Sequence, residues 1–463
     1  MTGVTRSDRL GRVVVIGNSF AGLLAARVLA EHASQVTILD RDRLPEAPEH
    51  RAGVPQDRHI HVVLAGGQRA LESLLPGVLD ELATAGVPAV AHPRDVLQFN
   101  RGLWVRRWRE SIPFLTGTRP LVEHTVRQRV LSCCDNIVTA QAVEVIGLHG
   151  DRHRVRGVLL RGRGGGEPGP PEVLEADLVV DASGRSSRAP SWLKALGARA
   201  PAEERIDTGL AYATRLYRMP PDPSAGDYRG IYLVPHPGMP RAAVIMPIET
   251  PDHYLVTLSG TAGEEPPTDP AGFAAFADGL ERPIVAQWLA AAQAVGPPMG
   301  HRGTANVRRR WDRLRGPEGL LVVGDAATAV NPIYGQGISV AAMGAVALRH
   351  LLAAGHRSVR PMQRAILRAA APAWDISSGV DKNMPGATGN AARSTRIEQL
   401  VNWYLTRVQE RAANSWPVAV AFRDVVHLLT PASSLFTPRM MRSVLFGQPD
   451  PPIADPPLHA ERA

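Results

Sequence analysis

The sequence predicts an α/β protein: a parallel sheet flanked by helices, an inserted mixed or antiparallel sheet, and a helical C-terminal region. Three observations predict it. Residues 12–40 open strand–turn–helix–strand, with "RVVVI", a glycine turn, "LLAARVLAEH" and "QVTILD". Two distant runs of the same apolar character, "EADLVVDASG" near residue 177 and "LLVVGDA" at 320, read as strands buried on both faces. Between them, "TGLAYATRLYR", "RGIYLVPH", "AAVIMPIE" and "YLVTLSG" over 205–262 supply strands of a separate antiparallel sheet. A sheet roofed by a second sheet leaves a cleft between them, where a ligand site is expected.

The intervening elements run in order. After Asp40 comes a polar segment, then helices around "GGQRALESLLPGVLDELATAG". Residues 88–116 read as short strands containing Trp104 and Trp108, and "RPLVEHTVRQRVLSC" returns to helical spacing. "IVTAQAVEVIGL" and "RVRGVLLRG" read as two antiparallel strands, and "GRGGGEPGPPE" after them as a flexible hairpin tip. "DPAGFAAFADGLERPIVAQWLAAA" is helical, as is most of the chain from the strand at 320 to about 430, and the proline-rich last twenty residues are expected to be loose. The expected boundaries are 10–87, 119–204 and 301–360 for the three parts of the first domain. Residues 88–118 and 205–300 form the roof, 361–440 the helical region and 441–463 the tail.

Composition narrows the function. A chain of 463 residues exceeds one ordinary core. Its 44% apolar and 21% charged content is that of a folded globular protein. Lys194 and Lys382 are the only lysines, so the net charge of +8 comes from arginines. These are spread singly along the chain, whereas nucleic-acid binding calls for a clustered stripe. Cys133 and Cys134 are adjacent and the only cysteines, which excludes a disulfide framework or a four-ligand zinc site and points to a reducing, cytoplasmic setting. No signal peptide and no transmembrane segment is read; "AVALRHLLAAGH" is too short and too interrupted.

Two constellations carry chemistry. In "GNSFAG", Gly17 permits a tight exit from the strand, Gly22 close helix packing, and the helix-start N–H groups near Ala21 face an anion. Ser19 stands where a glycine is usual, a small side chain that hinders phosphate only modestly. Asp40 ends the second strand, where an acid meets an adenosine ribose, and Arg41 comes directly after it. A plain strand–helix turn is the alternative. In "LLVVGDAATAVNPIYGQGISVAAMGAVAL", a buried strand ends at Gly324-Asp325. Pro332, Tyr334, Gly335, Gly337 and Ile338 then lead into a small-residue helix. An acid after a strand suits a ribityl hydroxyl. A helix entered through glycines offers its positive end to the pyrimidine edge of a flavin and lets backbone lie against a flat ring.

With "DLVVDASGRSS" at 177–187, these stretches resemble the signatures of class A FAD-dependent monooxygenases, with a Rossmann-like FAD-binding domain of the GR2, para-hydroxybenzoate hydroxylase type. "RAGVPQDRHIHVVLAGG", "AYATRLYR" and "NPIYGQGIS" are similar to epoxidases of polyether ionophore polyketide biosynthesis. The resemblance implies FAD as cofactor, NAD(P)H as reductant (direct, or through a separate flavin reductase), a flavin C4a-hydroperoxide as oxidant, and a small lipophilic substrate. It implies that Asp181 and Gly184 lie between FAD and the nicotinamide path, although Ala-Ser separates them where many members read Asp-Gly. Arg119 is implied to contact FAD from its helix, and Arg51 to face the phosphates or ribityl chain.

No catalytic side chain is singled out beyond Tyr334, Gly335 and Gly337 on the expected flavin face, and no oligomeric state. His59 and His61, at alternate positions, are expected on one side of an extended segment; they lack further ligands at metal spacing, so no metal is expected. Aromatic hydroxylation, Baeyer–Villiger oxygenation and geranylgeranyl-reductase-like alkene reduction are the alternatives, with a non-catalytic flavoprotein behind them. For a flavin halogenase, "GLWVRRWRESIP" is a faint match to Trp-x-Trp-x-Ile-Pro and neither lysine has a suitable context.

Overall fold

The computed structural model describes residues 10–163, 170–222, 226–261 and 263–460. The tip expected within "GRGGGEPGPPE" falls largely outside them, at 164–169. The founding element is a five-stranded all-parallel sheet in the order Leu320–Val322, Leu178–Asp181, Arg12–Ile16, Gln35–Leu39, Ile137–Ala140. Its central strands are near-continuous aliphatic runs because both faces are covered, one by helices and the other by the antiparallel strands Val143–Gly150 and Val155–Gly162 with the short helix Ala189–Ala195. Val13 and Val15 meet the helix Phe20–Ala30 in one core, while Val14 and Ile16 meet Trp192 and Leu193 in a second.

The segment "IVTAQAVEVIGL" is divided, against the expectation of one strand. Ile137–Ala140 is the fifth parallel strand, and only Val143–Gly150 pairs antiparallel with Val155–Gly162. Ala142, at φ 54°, breaks the run between them.

The roof is a seven-stranded mixed sheet containing Ala211–Arg218, His253–Gly260, Ala242–Pro247 and Gly230–Leu233. Gly230–Leu233 pairs parallel with Val96–Asn100, the one contribution from the first third of the chain apart from the short edge strand Leu103–Trp104. The helices Pro270–Asp278 and Ile284–Ala291 bury Phe273 and Trp288 against Tyr217 and Val256. The neighbouring short strands Ala89–His92 and Ile112–Gly117 instead join His61–Val63 in a small antiparallel sheet between the two layers.

Four helices, Gly337–Ala353, Val359–Asp381, Arg396–Ala412 and Trp416–Val426, complete the wall, with the short helix Pro438–Phe446 after them. Among the described residues, 447–460 lack regular structure but are tied down rather than loose. Buried Arg107 donates to the carbonyls of Pro457 and Leu458, and the Ala460 N–H donates to Asp227. Proline prevents a helix there while leaving those carbonyls to accept. Among the described residues, no helix is long and apolar enough to cross a membrane.

Candidate active site

Where the parallel sheet, the roof and the C-terminal helices meet, they enclose a cavity of about 1280 Å³. Gly17, Ser19, Ala21, Asp40, Arg41, Arg51, Arg119, Gly184, Gly324, Asp325, Pro332, Tyr334, Gly335, Gly337 and Ile338 all line it. Gly22 and Asp181 do not. A Cβ on Gly22 would lie 1.9 Å from the Gly17 carbonyl oxygen, so this glycine lets the helix sit on its own turn. Asp181 is fully buried; it accepts from the Ser183 N–H (2.9 Å), the Ser183 hydroxyl and the Ser187 hydroxyl, and so shapes the loop that carries Gly184.

The opening turn is built around an ion network. Gly17 has φ 105°, and a Cβ there would meet the Ala182 carbonyl oxygen at 2.7 Å. Ser19 begins the helix Phe20–Ala30 but does not cap it. Its hydroxyl donates to Glu123 (2.6 Å) and accepts from Arg119 (2.7 Å). The first N–H groups of the helix therefore stay available at the cavity wall. Arg51, 7% exposed, reaches Asp40 (3.0 Å), Glu123 (2.8 Å) and the Asn18 carbonyl (3.0 Å). Burial opposes the Glu123 charge, but Arg119 and Arg51 outweigh it and hold the carboxyl below its ordinary range. Asp40 is more heavily engaged than expected: Oδ2 takes Arg51 and the Asn18 N–H, and Oδ1 takes the Asp42 N–H. With two lone pairs on each oxygen, Oδ1 retains capacity for one hydroxyl.

Around the second glycine cluster, Gly335 has φ 63°, and its missing Cβ would meet Val62. Asp325, in the turn Gly324–Ala326, lies 3.6 Å from Arg185, which also donates to the Ala305 (2.8 Å) and Val330 carbonyls. The loop Pro332–Tyr334 is anchored from behind by buried Asp381, which accepts from the Tyr334 hydroxyl (2.7 Å), Asn331 (2.8 Å) and Asn306 (2.6 Å). Burial raises the Asp381 pKa against the pull of these bonds. Ser339, on the next helix, accepts from the Leu64 N–H (3.0 Å), tying that helix to the segment after His61.

His59 and His61 both line the cavity but take different partners. His59 bonds Thr214 of the roof (2.8 Å) and packs edge-on against Tyr212. His61 donates from Nδ1 to the His59 carbonyl (3.0 Å), which leaves Nε2 to accept from Arg119 (3.3 Å). Burial, with His301 and Arg58 beside one ring and Arg119 beside the other, pushes both histidines down to about 3. Lys382 lines the cavity but is paired with Glu398 (2.7 Å); Trp104 packs on Phe99, and Trp108 on Trp416.

The family model described as "FAD binding domain" matches residues 105–365, more than half of the chain. The chain is 34% identical over 399 residues to Protein Rv3254 of Mycobacterium tuberculosis, covering 84% of this chain and 83% of that one. This chain belongs to the FAD-binding domain family. The flavoprotein is also 28% identical over 364 residues to kynurenine 3-monooxygenase of Salinispora tropica, covering 75% and 73% of the two chains. Solved structures share its fold, and two illustrate it. One is p-nitrophenol 4-monooxygenase PnpA from Pseudomonas putida (TM-score 0.62, 16% identity, 90% of this chain and 98% of that one). The other is flavin-dependent brominase Bmp2 (TM-score 0.64, 15% identity, 94% and 97%).

FAD is the cofactor of this flavoprotein, and NAD(P)H is the reductant typical of its family. The cavity fits the cofactor on its own evidence. Asn18 is fully buried at the turn, with neither side-chain amide atom partnered, and Gln336 Oε1 is likewise bare beside Gly337. A Cβ on Gly184 or Gly337 would project into open space, leaving backbone free to lie against a flat ligand. Asn18, Glu123, Gln336 and Asp381 were not singled out from sequence. Glu123 alone had a signal there, four residues after Arg119 on one helix.

Proposed function

We propose that this flavoprotein epoxidises an alkene of a lipophilic, polyene-polyketide-like substrate, using O₂ and NAD(P)H. The observation that supports it best is the apolar wall beyond the flavin-facing loop. Phe114, Val244 and Met246 come from the sheets, and Leu405, Phe422 and Phe436 from the C-terminal helices. Bound FAD, once reduced, supplies the electrons that activate O₂ for transfer of one oxygen atom.

The chain's part is binding, orientation and exclusion of water. Ser19, Arg51, Arg119 and the first N–H groups of Phe20–Ala30 would hold the pyrophosphate, with Asp40 and Asp325 on the sugar hydroxyls. The N-terminus of Gly337–Ala353 would turn its partial positive charge toward the bound flavin. An alkene needs no side-chain base, which suits an apolar wall. Hydroxylation of a phenol is the second reading, favoured by a histidine pair set in that wall.

Products formed under ¹⁸O₂ from polyene and aromatic polyketides test the reading. Incorporation of one labelled oxygen into the polyenes is the expected result. Labelled hydroxyl on aromatics alone, or a lactone, overturns it, and saturation of the alkene without oxygen identifies a reductase.

A further inference from the structure

We propose that His92 and His427 form a hydroxyl-recognition subsite, which accepts a hydrogen bond from the O–H of a phenol, enol or alcohol on an otherwise apolar substrate. This rests on the cavity being the substrate chamber, though not on which oxygenation occurs there.

The two rings stack 5.3 Å apart where the small antiparallel sheet meets the C-terminal helices, and both line the cavity. Their protons are assigned by the end of the chain. Gln98 Oε1 can only accept, so His92 Nε2, 2.7 Å away, carries hydrogen. His92 Nδ1 is then a lone pair, and His427 Nε2, at 3.3 Å, donates to it. That leaves His427 Nδ1 as a bare acceptor. The residue is 2% exposed, and this nitrogen has no partner. Native proteins seldom leave a buried acceptor unmet, and a ligand O–H would meet it.

The surroundings set the rest of the ligand. Phe114 lies 6.1 Å from the His427 ring and belongs to an apolar cluster with Val96, Met246 and Val62. Val62 is also the side chain against which Gly335 packs, so the subsite lies one apolar layer from the flavin-facing loop. Charge is kept away from the acceptor. Burial first, then the His92 ring beside His427 and the Arg423 guanidinium beside both, favour the neutral histidines, while Arg423 itself is engaged by Asp424 and the Glu110 carbonyl. A neutral acceptor in an apolar wall selects a hydroxyl over an ether, a ketone or an anion.

The test is binding of 2-naphthol, 2-methoxynaphthalene and naphthalene to the FAD-loaded protein by calorimetry. All three should bind, and 2-naphthol should bind tighter than the other two by about tenfold, the worth of one buried hydrogen bond. In His427→Phe the three should fall within about twofold of each other with naphthalene affinity kept. ¹⁵N spectra of histidine-labelled wild-type protein give a second measurement that needs no variant. His427 should show an unprotonated Nδ1 whose signal moves with 2-naphthol and not with 2-methoxynaphthalene. Naphthalene bound without any hydroxyl preference, a preference surviving in His427→Phe, or a protonated Nδ1 overturns the subsite alone. No binding of naphthalene to the wild type overturns the chamber and the subsite together. Should His427→Phe fail to retain FAD, the ¹⁵N result decides.

Discussion

At the scale of single residues, the pyrophosphate end depends on side chains that replace one another's missing partners. Ser19 occupies a position where a glycine would leave room, yet its hydroxyl is used by Glu123 and Arg119. Sequence alone suggests a neutral substitution; the structure gives the serine a job within a buried ion network. Ser19→Ala should therefore lower stability by roughly 1–3 kcal/mol, the cost of leaving a buried charged group short of a donor, and should weaken FAD binding. Thermal unfolding and flavin titration would read both; no change in either would show that Glu123 is satisfied by the two arginines alone. Gly17→Val forces a branched side chain to φ 105° against the Ala182 carbonyl. It should abolish flavin retention, which the visible spectrum of the purified protein reports. Arg51→Met leaves Asp40 and Glu123 facing each other without their shared cation. The expected loss is roughly 3–5 kcal/mol in chemical denaturation, as for other broken buried ion pairs.

At the scale of elements, the flavin-facing loop gains its shape from a helix late in the chain that anchors it from behind. Asp381 ends the helix Val359–Asp381 and gathers donors from Asn306, Asn331 and Tyr334. Asp381→Leu should cost roughly 3 kcal/mol by orphaning those donors, while Tyr334→Phe, removing one bond, should cost about 1 kcal/mol. Equal thermal shifts for the two variants would refute the anchoring role. Such couplings explain what the sequence could and could not disclose. The strands at 12, 35, 178 and 320 were legible because burial on both faces writes itself as unbroken valine, leucine and isoleucine. Ile137–Ala140 was not, since an edge strand with partly exposed residues reads like its antiparallel neighbour. Gly17 and Gly335 were legible because backbone geometry demands glycine locally. The partners of His59, Asp381 and His427 were not, because Thr214, Asn306 and His92 stand 155, 75 and 335 residues away.

At the scale of the molecule, the three parts around the cavity meet on histidines that are kept uncharged. His59 joins the segment before the helix Ala65–Leu74 to the roof through Thr214, and His61 sits against Arg119 on the sheet side. His427 joins the C-terminal helices to His92. Protonating any of them places a cation in a dry seam beside Arg119, Arg58 or Arg423. A histidine free in the unfolded chain binds its proton near pH 6.5, whereas His59 and His61 resist it down to about 3. The unfolded state thus binds more protons as pH falls below about 6.5, and folding stability must fall with it. Each of these two residues contributes a slope of up to roughly 1.4 kcal/mol per pH unit between about pH 6.5 and pH 3. The unfolding midpoint in urea should therefore drop steadily from pH 7.5 to pH 5.5, with flavin released as the seam opens. His59→Gln, which keeps a polar partner for Thr214 but cannot be protonated, should make that descent shallower by its own share, leaving that of His61, with the midpoint near pH 7.5 little changed. A midpoint independent of pH over this range, or an equal slope in the variant, would mean that the seam is not what acid opens.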